Sequence, residues 1–588
     1  MNIHLLNFKL LTYYMDTSFL LLIIFSITTI IGLWKLFPLA GQEGWKAFVP
    51  VYNLIVWLKV IQKPWWWIFL IITPGVNFLM IAIMYLLTAK AFNKRSTQEK
   101  AIAFLLGFIY LPYIAFQKDT KYVGPEDLSK KKPSIAREWT EAIVFAVIAA
   151  TVIRTFFFEA FTIPTSSLEK SMMVGDYLFV SKVSYGAKIP NTPLSFPFAH
   201  HTLPFTSTTK SYLEWFRLPY FRLPGFGSVK NNDIVVFNYP DGDTVALGSG
   251  PEDQGQSYYQ LCREFGWNVV NNPRSINPYT GHPFGKIVAR PPDKRENYVK
   301  RCVGIAGDTL RIVNKELFVN SKPAYVAPTM QYNYKVRTTD GGGFSPRIIE
   351  QFDITDPANY VKDSTGGYFI ITLPFNKLEA FRKLPNVKSV TDTIEPAGEY
   401  SSRIFPHTPK LKWNNDNFGP LYIPKRGATI NIDVNNIDLY SRIIINYEGN
   451  TMEVKGDQIL INGQEAKTYT FQLDYFFMMG DNRHNSADSR YWGFVPEDHI
   501  VGKPVFVWMS IREDNKNTFD PNRDQPSGFF KKLKTSLSDP VRRARFFCFV
   551  GDDGLSRSYL VHFIVIVIGI SGFVYFKNKR AAKKTKKK

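Results

Sequence analysis

Five long apolar runs stand out along the chain, and between the fourth and the fifth the pattern changes to short alternating segments. Ser18 to Trp34 is uncharged and, at about 1.5 Å per helical residue, nearly crosses a bilayer core of about 30 Å. It predicts a retained membrane helix rather than a cleaved leader, because no small-x-small site follows a short apolar stretch and further apolar runs come later. Trp65 to Leu87, also uncharged, predicts a second span that opens on an aromatic cluster and kinks at Pro74-Gly75. Ala101 to Phe116 is shorter, contains Pro112 and has basic residues on both sides, so it stays open between a third span and an interfacial segment. The N-terminal membrane region, 1–140, therefore holds two or three apolar segments. Ala142 to Phe158 carries one charge, Arg154, near the end where a long side chain can snorkel, so 141–158 predicts an anchor. Tyr559 to Phe576 predicts a C-terminal membrane helix.

Residues 159–545 read as a mainly β domain. Strand-like runs occur at Tyr177–Val183, Asp233–Tyr239, Tyr298–Ile305, Thr309–Val313, Leu421–Ile423, Thr429–Ile432, Gln458–Ile461, Gln472–Met478 and Val505–Met509, and Asn462-Gly463 is a strong hairpin signal. Segments near 187–229, 241–297 and 314–426 are rich in Pro, Gly and Asn and read as insertions on that framework. The fold class expected is a mainly β catalytic domain with large insertions, attached to multiple transmembrane α-helices. The sequence has no internal repeat.

Charge adds topology. The 588 residues carry 71 Lys and Arg against 50 Asp and Glu, a net +21, and eight of the basic residues lie in the tail 577–588. The bulk is thus only moderately basic, which argues for a membrane surface and against nucleic acid as the partner. Lys130 to Lys132 and Arg137 precede the anchor and the basic tail follows the last apolar run, so the positive-inside bias places both flanks in the cytoplasm and 159–545 outside it. With 45% hydrophobic and 21% charged residues the chain is no disordered polyelectrolyte. Three scattered cysteines exclude a disulfide scaffold, although Cys262 and Cys302 are free to pair outside the cytoplasm. Eight dispersed histidines and no HExxH give no support for a metal. Phosphate-loop and GxSxG motifs are absent too, so nucleotide and α/β-hydrolase chemistry fall.

Just after the anchor the chain reads Phe161-Thr-Ile-Pro-Thr-Ser-Ser-Leu-Glu-Lys170. A serine hydroxyl needs a base, and a lysine serves if burial lowers its pKa. Lys300 lies in the strand-like run Tyr298-Val-Lys-Arg-Cys-Val-Gly-Ile-Ala-Gly-Asp308, where a lone lysine ordinarily faces water. A third polar segment, Gly480-Asp-Asn-Arg-His-Asn-Ser-Ala-Asp-Ser-Arg-Tyr-Trp-Gly-Phe-Val495, could orient such a base or could be an Asx-rich turn with Asp488 and Arg490 as a structural ion pair.

Taken together, these segments resemble the type I signal peptidases. The family's P-S-x-S-M stands here as Pro164-Thr165-Ser166-Ser167-Leu168, its G-D-x-x-x-V as Gly175-Asp176 to Val180, and its G-D-I-V-V-F as Asn232-Asp233 to Phe237. Its lysine box stands as Lys300-Arg301 to Gly307-Asp308, and its last box is complete from Gly480 to Val495. The resemblance implies Ser167 as nucleophile and Lys300 as general base, with Thr165 and the Ser167 amide forming the oxyanion hole. It implies that Ser486 hydrogen-bonds and orients the lysine, and that Asp488 and Arg490 support it as an ion pair. Ile163, Pro164, Leu168, Met172, Tyr298 and Val299 fall where the family lines small pockets for substrate alanines. Departures are Leu168 for methionine, Lys170-Ser171 for Pro-Thr and Ala306 for proline, while the first 130 or so residues, the insertions and the C-terminal span lie outside the resemblance. Lys170 is expected to face lipid phosphates.

The function implied is a serine endopeptidase of the bacterial cytoplasmic (inner) membrane, multi-pass, that cleaves signal peptides from exported preproteins at Ala-x-Ala sites without a cofactor. Its partners would be preproteins emerging from the export machinery and membrane lipids. Two rivals stand beside it. Ser167-Leu-Glu-Lys170 also fits the S-x-x-K of penicillin-recognising enzymes, whose other boxes are missing here. A catalytically silent, membrane-tethered peptide-binding module is the other.

Overall fold

The computed structural model describes residues 23–73, 76–125, 135–206, 208–215, 217–248, 257–354, 359–364, 366–511, 541–551 and 554–585. The chain divides into two compact units, one of residues 1–157 with 188–223 and one of 158–187 with 224–588.

The first unit is helical. Apolar side chains from successive helices, among them Leu33, Phe37, Trp57, Met84, Phe92, Leu111 and Ile114, meet in one core. Gly107 allows the close packing: a Cβ there would lie 2.1 Å from the Tyr85 ring. Helix Thr97–Ala115 starts at a capping box, in which the Ser96 hydroxyl accepts from the Glu99 amide and the Glu99 carboxylate accepts from the Ser96 amide. The helix runs through the segment left open above and is interrupted by non-helical Leu106. Among the described residues one helix, Glu138–Phe156, is long and apolar enough to cross a membrane. Of the other apolar runs, the first appears as the apolar helix Ile23–Leu39, with 18–22 outside the described residues. Within Trp65 to Leu87, helix Trp67–Ile72 ends before a second, Asn77–Ala91, begins; the predicted kink at 74–75 lies outside the described residues. The last run forms the apolar stretch Leu560–Val574 within helix Leu560–Thr585. Lys130 to Lys132 also lie outside the described residues. The expected anchor gives up its last residue to a strand, since the chain is extended from Phe158. Residues 188–223 carry only isolated bridges, as expected of an irregular insertion.

The second unit is built on a nine-stranded sheet. Its strands are β1 (Phe158–Thr162), β2 (Asp176–Ser181), β3 (Ile234–Asn238), β4 (Asn297–Gly304), β5 (Tyr475–Met479), β6 (Val495–Pro496), β7 (Ile500–Ser510), β8 (Cys548–Gly551) and β9 (Gly554–Leu555). The order is β1-β2-β7-β3-β4-β5-β6, with β8 joining β7 to β9. The strands come from both ends of the unit, so each segment of the resemblance reaches the same sheet. β3 and β4 are antiparallel with Val235 opposite Lys300 and Phe237 opposite Tyr298. Strand alternation therefore puts Tyr298 and Lys300 on one face and Val299 and Arg301 on the other.

Every predicted strand appears to within a few residues, and two, Thr309–Val313 and Gln458–Ile461, appear with the expected bounds. Asn462 and Gly463 both take positive φ, 53° and 81°, in the tight turn that a two-residue hairpin needs. The insertions have cores of their own. Helix Tyr258–Phe265 packs Leu261 and Cys262 with Val270 and Phe284. Within 314–426, Gln331–Thr338 lies centrally in a four-stranded sheet over Tyr334, Leu373 and Phe381. Cys262 and Cys302 are unbonded and sit in different cores.

Candidate active site

From β1 the chain enters a closed loop before β2. Ile163 and Asp176 are joined by an amide-to-carbonyl bond of 3.0 Å, and Gly175 donates to the Ile163 carbonyl at 2.9 Å. Gly175 has φ 84°, and a Cβ there would meet the Ile511 carbonyl at 2.0 Å, so the loop closes only with glycine. Inside the loop Ser166–Leu168 forms a single tight turn. It buries Ser167 and Leu168 and turns Ser166 outward, where its Oγ accepts from Asn485 Nδ2 at 3.0 Å. The two adjacent serines are thereby distinguished, because Lys300 Nζ donates to Ser167 Oγ at 2.5 Å.

Lys300 is 4% exposed. Burial pushes its pKa down to about 8, against the opposing pull of Asp488 and Asp481. A lysine in this state is neutral in an appreciable fraction of molecules near pH 7 and can accept a proton. Thr165 Oγ1 lies 3.4 Å from Ser167 Oγ, and the residue is exposed.

The Gly480 to Val495 segment supports this pair from behind. Asp488 and Arg490 form the expected buried ion pair, with Arg490 Nη2 2.9 Å and Nε 3.0 Å from the carboxylate. Burial opposes ionisation of Asp488, yet Arg490 and the Gly480 amide hold its carboxyl below the usual range. Ser486 does not behave as expected: its Oγ is buried, close to the dyad, and among the described residues makes no hydrogen bond, to Lys300 or to any other group. Gly480 governs this approach, since a Cβ there would lie 2.3 Å from Ser486 Oγ and 2.5 Å from the Ser167 carbonyl. Gly480→Ala is expected to displace the Ser167 turn and lower kcat/KM by at least about tenfold, measured by peptide cleavage, while the protein remains folded by circular dichroism.

Of the expected pocket residues, Ile163, Leu168, Met172 and Val299 share one apolar cluster. Pro164 is exposed at its edge. Tyr298 lies on the other face of β4, stacked on Tyr239 at 4.3 Å and against Trp492, so the six residues do not line one surface. Lys170 is a further correction. Its side chain is only 9% exposed, with Nζ 3.9 Å from Glu169, and is not extended toward lipid.

The sequence reading missed Arg301 and Asp481. Arg301, fully buried, donates from Nε and Nη2 to the two Asp481 oxygens at 2.8 and 2.7 Å, and Ser171 Oγ donates to the same carboxylate at 2.6 Å. The Asn482 amide then donates to the Ser167 carbonyl at 3.1 Å. The signal was present in the complementary charges of two short boxes, Lys300-Arg301 and Gly480-Asp481.

Comparison with known proteins agrees with this architecture. Residues 136–363 and 470–509 match the family described as signal peptidase, peptidase S26, and residues 45–125 match a family of unknown function, DUF5684. Signal peptidase I of Buchnera aphidicola subsp. Baizongia pistaciae is 23% identical over 371 residues, covering 62% of this chain and 74% of that protein. Signal peptidase I of Haemophilus influenzae is 21% identical over 425 residues, covering 72% and 82%, and that of Helicobacter pylori J99 is 24% identical over 377 residues, covering 64% and 83%. A β unit that brings a serine and a buried lysine together, in a region matching this family, defines a hydrolase of the serine endopeptidase class. Within that class the chain is similar to the type I signal peptidases.

Proposed function

We propose that this protein cleaves N-terminal signal peptides from exported preproteins after small residues, with Ser167 as nucleophile and Lys300 as general base. The observation that carries the reading is the 2.5 Å contact between Ser167 Oγ and a buried lysine whose pKa is pushed down to about 8. Neutral Lys300 takes the Ser167 proton as Oγ bonds to the scissile carbonyl carbon. The resulting oxyanion accepts from the Ser167 amide and from the Thr165 hydroxyl. Lys300 returns the proton to the leaving amine, and the acyl-enzyme is hydrolysed by water that the same lysine deprotonates. The small side chains of an Ala-x-Ala site would sit at the edge of the buried apolar cluster of Ile163, Leu168, Met172 and Val299. Asp488 and Arg490 keep the Gly480 segment in place behind the dyad. The protein is a multi-pass protein of the bacterial cytoplasmic membrane with this unit on the outer side, so that a substrate's apolar segment stays in lipid while its cleavage site reaches Ser167.

The test is cleavage of a preprotein bearing an Ala-x-Ala site by the detergent-solubilised full chain. Ser166→Ala and Lys170→Ala are expected to retain activity within about threefold, whereas Ser167→Ala and Lys300→Ala lose at least about 10³-fold. An inactive Lys170→Ala beside an active Lys300→Ala would instead support S-x-x-K chemistry, and a wild type without activity would support the silent binding module.

A further inference from the structure

A pocket of about 200 Å³ opens beside the Ser166 turn, with part of its wall supplied by the inserted segments. Asn485 and Ser486 form its near rim. Asn485 donates to Ser166 Oγ, and Ser486 Oγ and the Ser167 carbonyl both crowd the position that a Gly480 Cβ would take. Its lining also carries two guanidinium groups, Arg263 from helix Tyr258–Phe265 and Arg403 from the longest insertion. Neither makes an ion pair with a described residue; Arg403 lies over the Tyr491 ring, 6.0 Å from its centroid.

The carboxylate in the wall, Asp241, is already engaged. Arg442 Nη1 is 2.9 Å from it and the Ser257 hydroxyl donates to it at 3.0 Å. Two buried donors have no acceptor among the described residues, Ser486 Oγ at 6% residue exposure and Trp492 Nε1 at 2%. Buried polar groups in native proteins are nearly always hydrogen-bonded, so an orphaned pair lining one pocket points to a missing acceptor. Arg263 feels the Asp241 charge, which Arg442 already pairs, and Arg403 has no carboxylate beside it among the described residues, so the two guanidinium groups in the lining favour an anionic acceptor, and a planar carboxylate suits their fork geometry.

Resting on the serine-lysine reading above, we propose that this pocket is a specificity subsite that takes the carboxylate of a substrate Asp or Glu side chain close to the scissile bond. An extended peptide advances about 3.3 Å per residue, so a pocket that adjoins the Ser166 turn lies within about three residues of the bond being cut. The guanidinium groups come from inserted segments, so the preference belongs to this chain's additions rather than to the catalytic framework.

The experiment uses the full chain in detergent and paired Ala-x-Ala peptides that carry Glu or Gln at one position at a time, from four residues before to three residues after the scissile bond. The wild type is expected to favour Glu by at least tenfold in kcat/KM at one position, chiefly through KM. In the double variant Arg263→Gln/Arg403→Gln the preference should fall below twofold while cleavage of the Gln peptide is unchanged. Binding of the same pair to Ser167→Ala, followed by fluorescence anisotropy, should show the same discrimination. Equal cleavage of Glu and Gln peptides at every position, or a preference that survives in the double variant, overturns the subsite while leaving the peptidase reading intact. Cleavage of no peptide overturns both.

Discussion

Replacing Lys300 by methionine is expected to abolish peptide hydrolysis and at the same time make the fold harder to unfold. Activity should fall by at least about 10³-fold, because Ser167 loses the group that accepts its proton. The gain in stability follows from the same burial. A lysine whose pKa is 10.5 in the unfolded chain and about 8 in the folded one binds fewer protons when folded between those values. The unfolded state therefore holds the extra proton, and stability rises with pH through this window. Below pH 8 the full cost is present, on the order of 3 kcal/mol. Methionine nearly matches the volume without the charge. Urea unfolding should give the variant a higher midpoint at pH 7, and the difference should shrink as pH approaches 10. A variant less stable than wild type at pH 7 would mean that the lysine is not held at a cost. The wild-type kcat/KM should rise about tenfold per pH unit up to about pH 8 and then level, which an acid-active profile would contradict.

The second large effect is expected at the Arg301–Asp481 pair. Asp481→Ala leaves the guanidinium of a fully buried arginine without its counter-charge, and such breaks cost about 3–5 kcal/mol. The double change Arg301→Met/Asp481→Leu should be far less damaging than the sum of its parts, since a packed apolar pair requires no compensation. Thermal unfolding of the three variants measures this directly. A kinetic signature accompanies it. Asp481 pulls the Lys300 pKa upward, so its removal should move the acid limb of any residual activity to lower pH. Unchanged stability in Asp481→Ala would contradict the burial argument.

The two predictions concern neighbouring residues with opposite energetic roles. Lys300 is destabilising where it is most useful, and Arg301, next in sequence, holds the strand that carries it against the Gly480 loop. Strand alternation explains how adjacent basic residues serve both ends: one faces the serine turn and the other the carboxylate beneath it.

Much of this was legible in the sequence because it depends on local pattern. Alternation placed the strands and Asn462-Gly463 its hairpin, while the resemblance of the polar boxes to the type I signal peptidases singled out Ser167, Lys300, Asp488 and Arg490. Less of the first unit was legible. Apolar runs report only that side chains avoid water, and they do not show which of those side chains meet in the core that the helices share. Lys170 was misread for a similar reason, since a charge beside a membrane segment carries no sign of which way the backbone turns; its positive φ of 72° brings it against the fold.

What the sequence determined by itself is the chemistry available: a serine, a lysine, an acid-arginine pair and the strands that bear them. The tertiary structure decided which serine meets the lysine, that burial depresses this lysine's pKa, that Ser486 is left without a partner among the described residues, and that insertions more than a hundred positions apart line one pocket. Each of these depends on desolvation and on distances between residues remote in the chain, and neither quantity is written in local pattern.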